Sequence, residues 1–126
     1  MQAEMMNGGD LAFVGDALMT LQVRTFLIEQ GITSSQKLQS YSSYYNSAVH
    51  QAAFAREIEG ELDEKSLEIF KRGRNYKSHS TAKNASVIDY RYATALEALW
   101  GYWYLNGEYD RLKEMFMRFT GDFNGQ

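Results

Sequence analysis

Hydrophobic positions recur at helical spacing along most of the chain. The first such run covers about Asp10 to Gln30 and ends at Gly31, which is well placed as a C-terminal cap. Its apolar positions include Leu11, Val14, Leu18 and Leu21. A second, short helix is predicted after the capping cluster Thr33-Ser34-Ser35. A third is predicted over about Tyr44 to Glu59, before Gly60.

The second half of the chain continues this pattern. A fourth helix is predicted to begin near Asp63, which is a good N-cap residue. A fifth, the most apolar, is expected over about Val87 to Leu105, and a sixth over about Glu108 to Thr120. No segment shows the alternation of a strand, and proline is absent. We therefore expect an all-α fold in a single domain, residues 1–126, in which residues 1–9 form a flexible N-terminus.

Composition narrows the class of protein. The chain has 126 residues, 44% of them hydrophobic and 23% charged, as is ordinary for one globular domain. It has no cysteine, which excludes disulfides and thiolate metal sites. No apolar run reaches the roughly 18 residues of a membrane span, and the N-terminus does not resemble a signal peptide. These features predict a cytoplasmic protein with no membrane partner. The net charge of −3 does not by itself indicate a nucleic-acid partner.

Two acidic residues stand alone in the most apolar segments. Asp16 lies in "LAFVGDAL" and Glu97 in "TALEALWGYWYL". Burying a carboxylate in such surroundings is costly unless something compensates for its charge. Each acid could cap a neighbouring helix or pair with an arginine. Alternatively, the small residues beside the acids allow the two helices to cross closely, so that the carboxylates meet; these residues are Gly15, Ala17, Ala98 and Gly101.

Two carboxylates at close range repel each other unless a cation lies between them. Oxygen ligands suit Mg²⁺, which keeps several waters and often binds phosphate. Such a site would support metal-assisted hydrolysis of a phosphodiester. Asp10 is a further acid near this helix, but six residues from Asp16 is poor helical phasing.

A basic segment, "KRGRNYKSHSTAKN" from Lys71 to Asn84, interrupts the apolar pattern and reads as the end of the fourth helix followed by a loop. Its positive residues are Lys71, Arg72, Arg74, Lys77 and Lys83. A solvated surface loop is one interpretation. Binding of a phosphate backbone is the other, because arginine, lysine and short polar donors suit phosphate oxygens.

Taken together, these motifs resemble a known family. "LAFVGDAL" and "LEALWGYWYL" are similar to the two signature stretches of ribonuclease III catalytic domains. "KRGRNYKS", "AKN" and "YRYATALEAL" resemble more narrowly the Mini-ribonuclease III subfamily, whose members lack a double-stranded RNA-binding domain. The resemblance covers roughly Leu11 to Leu112.

The resemblance implies an all-helical ribonuclease III fold, working as a homodimer on double-stranded RNA. Asp16 and Glu97 take the positions of the essential acids and would bind Mg²⁺, with Mn²⁺ as a possible substitute. The implied reaction is endonucleolytic hydrolysis that leaves a 5′ phosphate and a 3′ hydroxyl. The implied substrate is the precursor of the large-subunit (23S) ribosomal RNA, with a ribosomal protein as a possible helper. The basic segment would contact RNA. Larger family members carry two more acids, where this chain has Ala12 and Thr94.

Two alternatives stay open at this point. The chain could be a non-catalytic RNA-binding or assembly module with the same fold, although a pure binding module has no need for two desolvated acids. Phe13, beside Asp16, resembles an interface residue of the family. It could equally make a contact within the core of one chain.

Overall fold

The fold is described by a computed structural model for residues 2–77 and 86–124. These residues form six α-helices and two short 3₁₀ turns, Ala3–Met5 and Glu59–Glu61, and no strand is found among them. The helices are α1 (Gly8–Glu29), α2 (Ser35–Asn46), α3 (Ala48–Ile58), α4 (Glu64–Arg74), α5 (Val87–Leu105) and α6 (Tyr109–Phe119). The predicted all-α class is therefore confirmed, and α5 has the predicted bounds.

Helix α5 is the centre of the fold. It packs against α1, α3, α4 and α6, which explains why it is apolar on all sides. Trp100 and Trp103 are fully buried on it. Their indole N–H groups donate to Gln22 Oε1 at 2.8 Å and to Ser66 Oγ at 3.0 Å. Both large side chains are thus buried without an unpaired donor.

The expected third helix, over about Tyr44 to Glu59, is wrong at its beginning. Ser47 has an extended backbone, with φ −69° and ψ 147°, and separates α2 from α3. Its hydroxyl donates to the carbonyl of Tyr44 at 2.9 Å and accepts from the backbone N–H of His50 at 3.1 Å. One serine therefore satisfies the end of one helix and the start of the next.

Other helix ends follow the predicted signals with local differences. Gly31 has φ +83° after α1, as a C-terminal cap requires. Asn7 caps the start of α1, where its Oδ1 accepts from the N–H of Asp10 at 2.8 Å. Asp63 precedes α4 as predicted, but its side chain makes no cap hydrogen bond. It accepts instead from Arg111 at 2.8 Å.

Residues 2–7 lie against the end of α4, while the flexibility expected for residues 1–9 stays a prediction. Ala3 is buried, and Arg72 reaches from α4 to the segment. Its Nη1 donates to the carbonyls of Glu4 at 2.6 Å and Met6 at 2.8 Å. The segment is therefore tied to the end of α4, where the basic segment begins.

Helix α1 is long and apolar enough to cross a membrane by length and composition alone. A core helix of a globular domain passes the same test, and α1 packs closely against α5. Its inner side is completely buried at Leu11, Met19, Val23 and Leu27.

Candidate active site

The site is built where α1 crosses α5 at two glycines. A Cβ added to Gly15 would overlap the carbonyl oxygen of Glu97, and one added to Gly101 would overlap the carbonyl oxygen of Leu11. Only hydrogen atoms fit between the two backbones at this point. This confirms the predicted close crossing for Gly15 and Gly101. The other two small residues do not contribute to it, because Ala17 is exposed and Ala98 packs against Gly73 of α4.

The crossing brings the two predicted acids together. The carboxyl groups of Asp16 and Glu97 lie within hydrogen-bonding reach of each other. The expectation that both would be desolvated is wrong for Asp16, which is exposed, whereas Glu97 is largely covered. Burial, the negative charge of Asp16 and the hydrogen bond between the two groups raise the pKa of Glu97 to about 9. The metal-free pair therefore carries a proton near neutral pH.

The described surroundings of the pair do not support the alternatives in which each acid has a purely structural role. In the described ranges, neither acid forms an ion pair with an arginine, a lysine or a histidine. Neither caps a helix there, because the capping side chains belong to Asn7, Ser34, Ser47 and Ser86. Among the described residues the compensating charge therefore has no basic source, and a proton or a bound cation can supply it.

The donor set fits a hard divalent cation. Two carboxylates at an open cavity supply the oxygen ligands that Mg²⁺ prefers. Within the residues that the structure describes, no three acidic or histidine side chains come together as a ready-made cluster. A cation at this pair would take its remaining ligands from water and from a phosphate, as Mg²⁺ commonly does.

A cavity of about 310 Å³ opens above the acid pair. Ala12 and Thr94 line it. The Thr94 hydroxyl donates to the carbonyl of Tyr90 at 2.9 Å and is thereby held within α5. Asp10 also lines the cavity, despite its poor phasing with Asp16. The chain thus presents methyl and hydroxyl groups, rather than two further carboxylates, beside the pair.

Sequence reasoning missed two tyrosines of the cavity wall, Tyr76 and Tyr90. The ring of Tyr76 lies against Gly9, close enough that a Cβ on this glycine would overlap it. The only sequence signal was the Gly8-Gly9 pair at the start of α1. Gly8 has a matching role, because a Cβ there would lie 2.6 Å from the carbonyl oxygen of Arg72.

The predicted RNA-binding residues are placed in different environments. Lys71 and Lys77 are exposed. Arg72 is occupied by the N-terminal segment and by Glu68, to which Nη2 donates at 2.9 Å. Arg74 pairs with Glu59 at 3.4 Å. Lys83 lies outside the described residues. RNA binding by these residues stays a prediction. The two exposed lysines are the best placed of the described residues to contact an RNA backbone.

Phe13 lies at the edge of the cavity, and 82% of its surface is exposed. The alternative that it makes a core contact within one chain is therefore wrong. The interpretation that remains is a contact with another molecule.

Comparisons with known proteins agree with this geometry. The family described as "Ribonuclease III domain" matches residues 9–108. The chain is 47% identical to the Mini-ribonuclease 3 of Brevibacillus brevis, over 83% of this chain and 78% of that protein. It is 42% identical to the Mini-ribonuclease 3 of Streptococcus pneumoniae, over 88% of each. It superposes on a crystal structure of a Fusobacterium nucleatum protein with a TM-score of 0.83 and 31% identity, covering 87% of this chain and 89% of that one. The chain belongs to the ribonuclease III family of endoribonucleases, in its Mini-ribonuclease III group.

Proposed function

We propose that the protein hydrolyses phosphodiester bonds of double-stranded RNA with a divalent cation, Mg²⁺ or Mn²⁺, held between Asp16 and Glu97. The observation that carries this proposal is the pairing of two carboxyl groups at a cavity, without a basic partner among the described residues. The ribosomal RNA precursor of the large subunit is the substrate that the family resemblance implies, with a ribosomal protein as a helper. Both are part of the proposal.

The two acids contribute differently to the site. Asp16 is exposed and offers its carboxylate at the mouth of the cavity, whereas Glu97 lies deeper and holds the proton of the metal-free pair. Loss of that proton prepares Glu97 as a second oxygen ligand. When bound there, Mg²⁺ supplies positive charge that stabilises the phosphate under attack. Ala12 and Thr94 add no charge to the cavity wall, so Asp10 is the one further acid among its lining residues.

Substrate binding is assigned to the exposed lysines of the basic segment. Duplex RNA is recognised mainly by its shape and its backbone, so lysines can bind it without reading bases. Lys71 and Lys77 flank the last turn of α4 and its exit, close in sequence to the cavity residue Tyr76. Each backbone contact made by a lysine adds to the salt dependence of binding.

The lysine assignment is tested by the salt dependence of duplex RNA binding. Lys71→Ala and Lys77→Ala should each weaken binding and reduce the slope of log K against log salt by about 1. Lys113→Ala, an exposed lysine of α6, is the matched control and should leave the slope unchanged. Equal slopes for all three variants and the unmodified protein would leave the basic segment as a solvated loop.

The outer side of α1 supports the proposed homodimer. Phe13, Leu21 and Ile28 expose 82%, 63% and 60% of their surfaces, and the exposed Ala17 lies between the first two. These residues follow helical spacing and form a stripe that begins at the cavity and is apolar except for the exposed Arg24. A second copy of the chain is the proposed occupant, because a stripe that reaches the cavity would place two active sites along one duplex.

The dimer is tested by light scattering at micromolar concentration. The unmodified chain should have the mass of two copies, and Phe13→Glu should have the mass of one. Met117→Glu introduces the same charge at a methionine of α6 that is 66% exposed, and it should leave the dimer intact. A monomeric unmodified chain would contradict the proposal.

The reaction is tested by cleavage of a duplex RNA with and without Mg²⁺. The unmodified protein should cut only with the cation and leave 5′ phosphates. Asp16→Asn and Glu97→Gln should abolish cutting while duplex binding largely persists. Binding without cutting at any concentration of Mg²⁺ or Mn²⁺ would favour the non-catalytic module.

A further inference from the structure

Tyr76 belongs to the basic segment and also lines the cavity of the acid pair. It follows the last turn of α4, where its backbone N–H donates to the carbonyl of Gly73 at 3.3 Å. Its side chain forms part of the cavity that also contains Asp16 and Glu97. The residue therefore joins the predicted RNA-binding surface to the candidate catalytic site.

Two parts of the chain hold the ring in this place. Gly9 lies directly beneath it and has no side chain that would displace it. The segment before Gly9 is tied to α4 by Arg72, through the carbonyls of Glu4 and Met6. Because Tyr76 follows α4 directly and α4 also binds the segment that leads into Gly9, the ring and the glycine beside it are fixed to each other.

Within the described residues, the hydroxyl of Tyr76 has no hydrogen-bond partner. The side chain is 42% exposed, and it makes no hydrogen bond with the residues that the structure describes. A tyrosine held by a glycine at the wall of a polar cavity presents a donor to whatever enters. Beside an acid pair, an incoming RNA strand offers phosphate oxygens and ribose hydroxyls as acceptors.

We propose that Tyr76 is a substrate-binding residue of the active site, whose hydroxyl donates to a sugar–phosphate oxygen of the strand being cut. This inference rests on the proposed action on double-stranded RNA. The ring forms the cavity wall against which the strand lies, and Gly9 is its positioning residue. Tyr76 thereby connects backbone binding by the basic segment to the position of the scissile phosphate at Asp16 and Glu97.

The contribution of the hydroxyl is measured by steady-state cleavage of a duplex RNA by Tyr76→Phe. Loss of one hydrogen bond to the substrate should raise KM about three- to tenfold and leave kcat within about twofold. Tyr76→Ala, which also removes the wall, should raise KM further. A purely structural role would lower the active fraction and so kcat, while KM would stay unchanged. Tyr104→Ala, at a tyrosine of α5 that is 44% exposed, is the matched control and should behave like the unmodified protein.

Gly9→Ala tests the positioning of the ring in a double-mutant cycle. The added methyl group should push the ring from the cavity wall and raise KM about as much as Tyr76→Ala does. Combined with Tyr76→Ala it should add nothing, because the group that it displaces is gone. Additive effects of the two substitutions would show that Gly9 does not act through Tyr76.

Equilibrium binding of the same duplex, measured without divalent cation, separates this inference from the proposed function. Weaker binding by Tyr76→Ala than by Tyr104→Ala would support the Tyr76 contact even if the unmodified protein did not cut the RNA. Normal KM and normal binding in every Tyr76 variant would overturn the contact and leave the proposed function intact. An unmodified protein that neither binds nor cuts the duplex would overturn both.

Discussion

Replacing Gly15 by alanine places a methyl group where the backbone of α5 already lies. The new Cβ would overlap the carbonyl oxygen of Glu97 and would lie 3.0 Å from the amide nitrogen of Gly101. Neither neighbour is the end of a flexible side chain, so α1 and α5 have to move apart. Gly15→Ala therefore tests the crossing that brings Asp16 to Glu97.

The expected loss of stability follows from two opposing effects. Alanine favours a helix over glycine by about 1 kcal/mol. Forcing a methyl group against packed backbone costs about 3 kcal/mol, at the upper end of the usual range for overpacking. The net destabilisation is about 2 kcal/mol, which for a domain of this size lowers Tm by about 7 °C. The separated helices should also part the two carboxyl groups and reduce RNA cleavage.

The assay is urea and thermal unfolding at a fixed protein concentration, since the proposed dimer would make stability depend on concentration. Gly60→Ala is the matched control, because no atom lies within 4 Å of its added Cβ and its backbone conformation accepts a side chain. This control should unfold at or slightly above the midpoint of the unmodified protein. If Gly15→Ala were as stable as Gly60→Ala, the helices could not approach as closely as described.

Two further predictions concern charge. The folded state raises the pKa of Glu97 from 4.5 to about 9, so between these values it holds a proton that the unfolded chain has lost, and stability falls as pH rises through this window. Urea unfolding in EDTA from pH 5 to 9 gives the free energy of unfolding at each pH. It should decline for the unmodified protein relative to Glu97→Gln, by up to about 1.4 kcal/mol per pH unit. Parallel curves would contradict the raised pKa. Arg72→Ala should destabilise by about 1–3 kcal/mol and expose residues 2–7 to limited proteolysis, because two backbone carbonyls lose their charged donor. The exposed Lys71→Ala is the control, and equal proteolysis of both variants would show that Arg72 does not hold the segment.

Much of the fold is predictable because the determining contacts are local or periodic. The bounds of α5 follow from its apolar run and from Ser86, which caps its start by accepting from the N–H of Asp89 at 3.0 Å. The break between α2 and α3 is not predicted because tyrosines precede it and Ala48 and Val49 follow it, so the apolar pattern resumes at once. The extended backbone of Ser47 and the two hydrogen bonds of its side chain reveal the break.

The acid pair was predictable for a different reason. Asp16 directly follows Gly15, and Gly101 lies about one helical turn after Glu97, so the two signals together indicate a close crossing with facing carboxylates. Their unequal burial was not predictable, because it depends on the direction in which each side chain leaves its helix. The contact between Gly9 and Tyr76 could not be predicted from the sequence either. A pair of glycines indicates that another group packs closely there, but it does not identify the distant side chain.

The central claim is that Asp16 and Glu97 together hold a divalent cation. Calorimetric titration of the folded protein with Mn²⁺ tests it most directly, using the unmodified protein, Asp16→Asn, Glu97→Gln and, as a control, Asp110→Asn at an exposed aspartate of α6. We expect binding by the unmodified protein and by Asp110→Asn, and a loss of at least tenfold in affinity for either variant of the pair. Unchanged Mn²⁺ affinity in Asp16→Asn and Glu97→Gln would contradict the site.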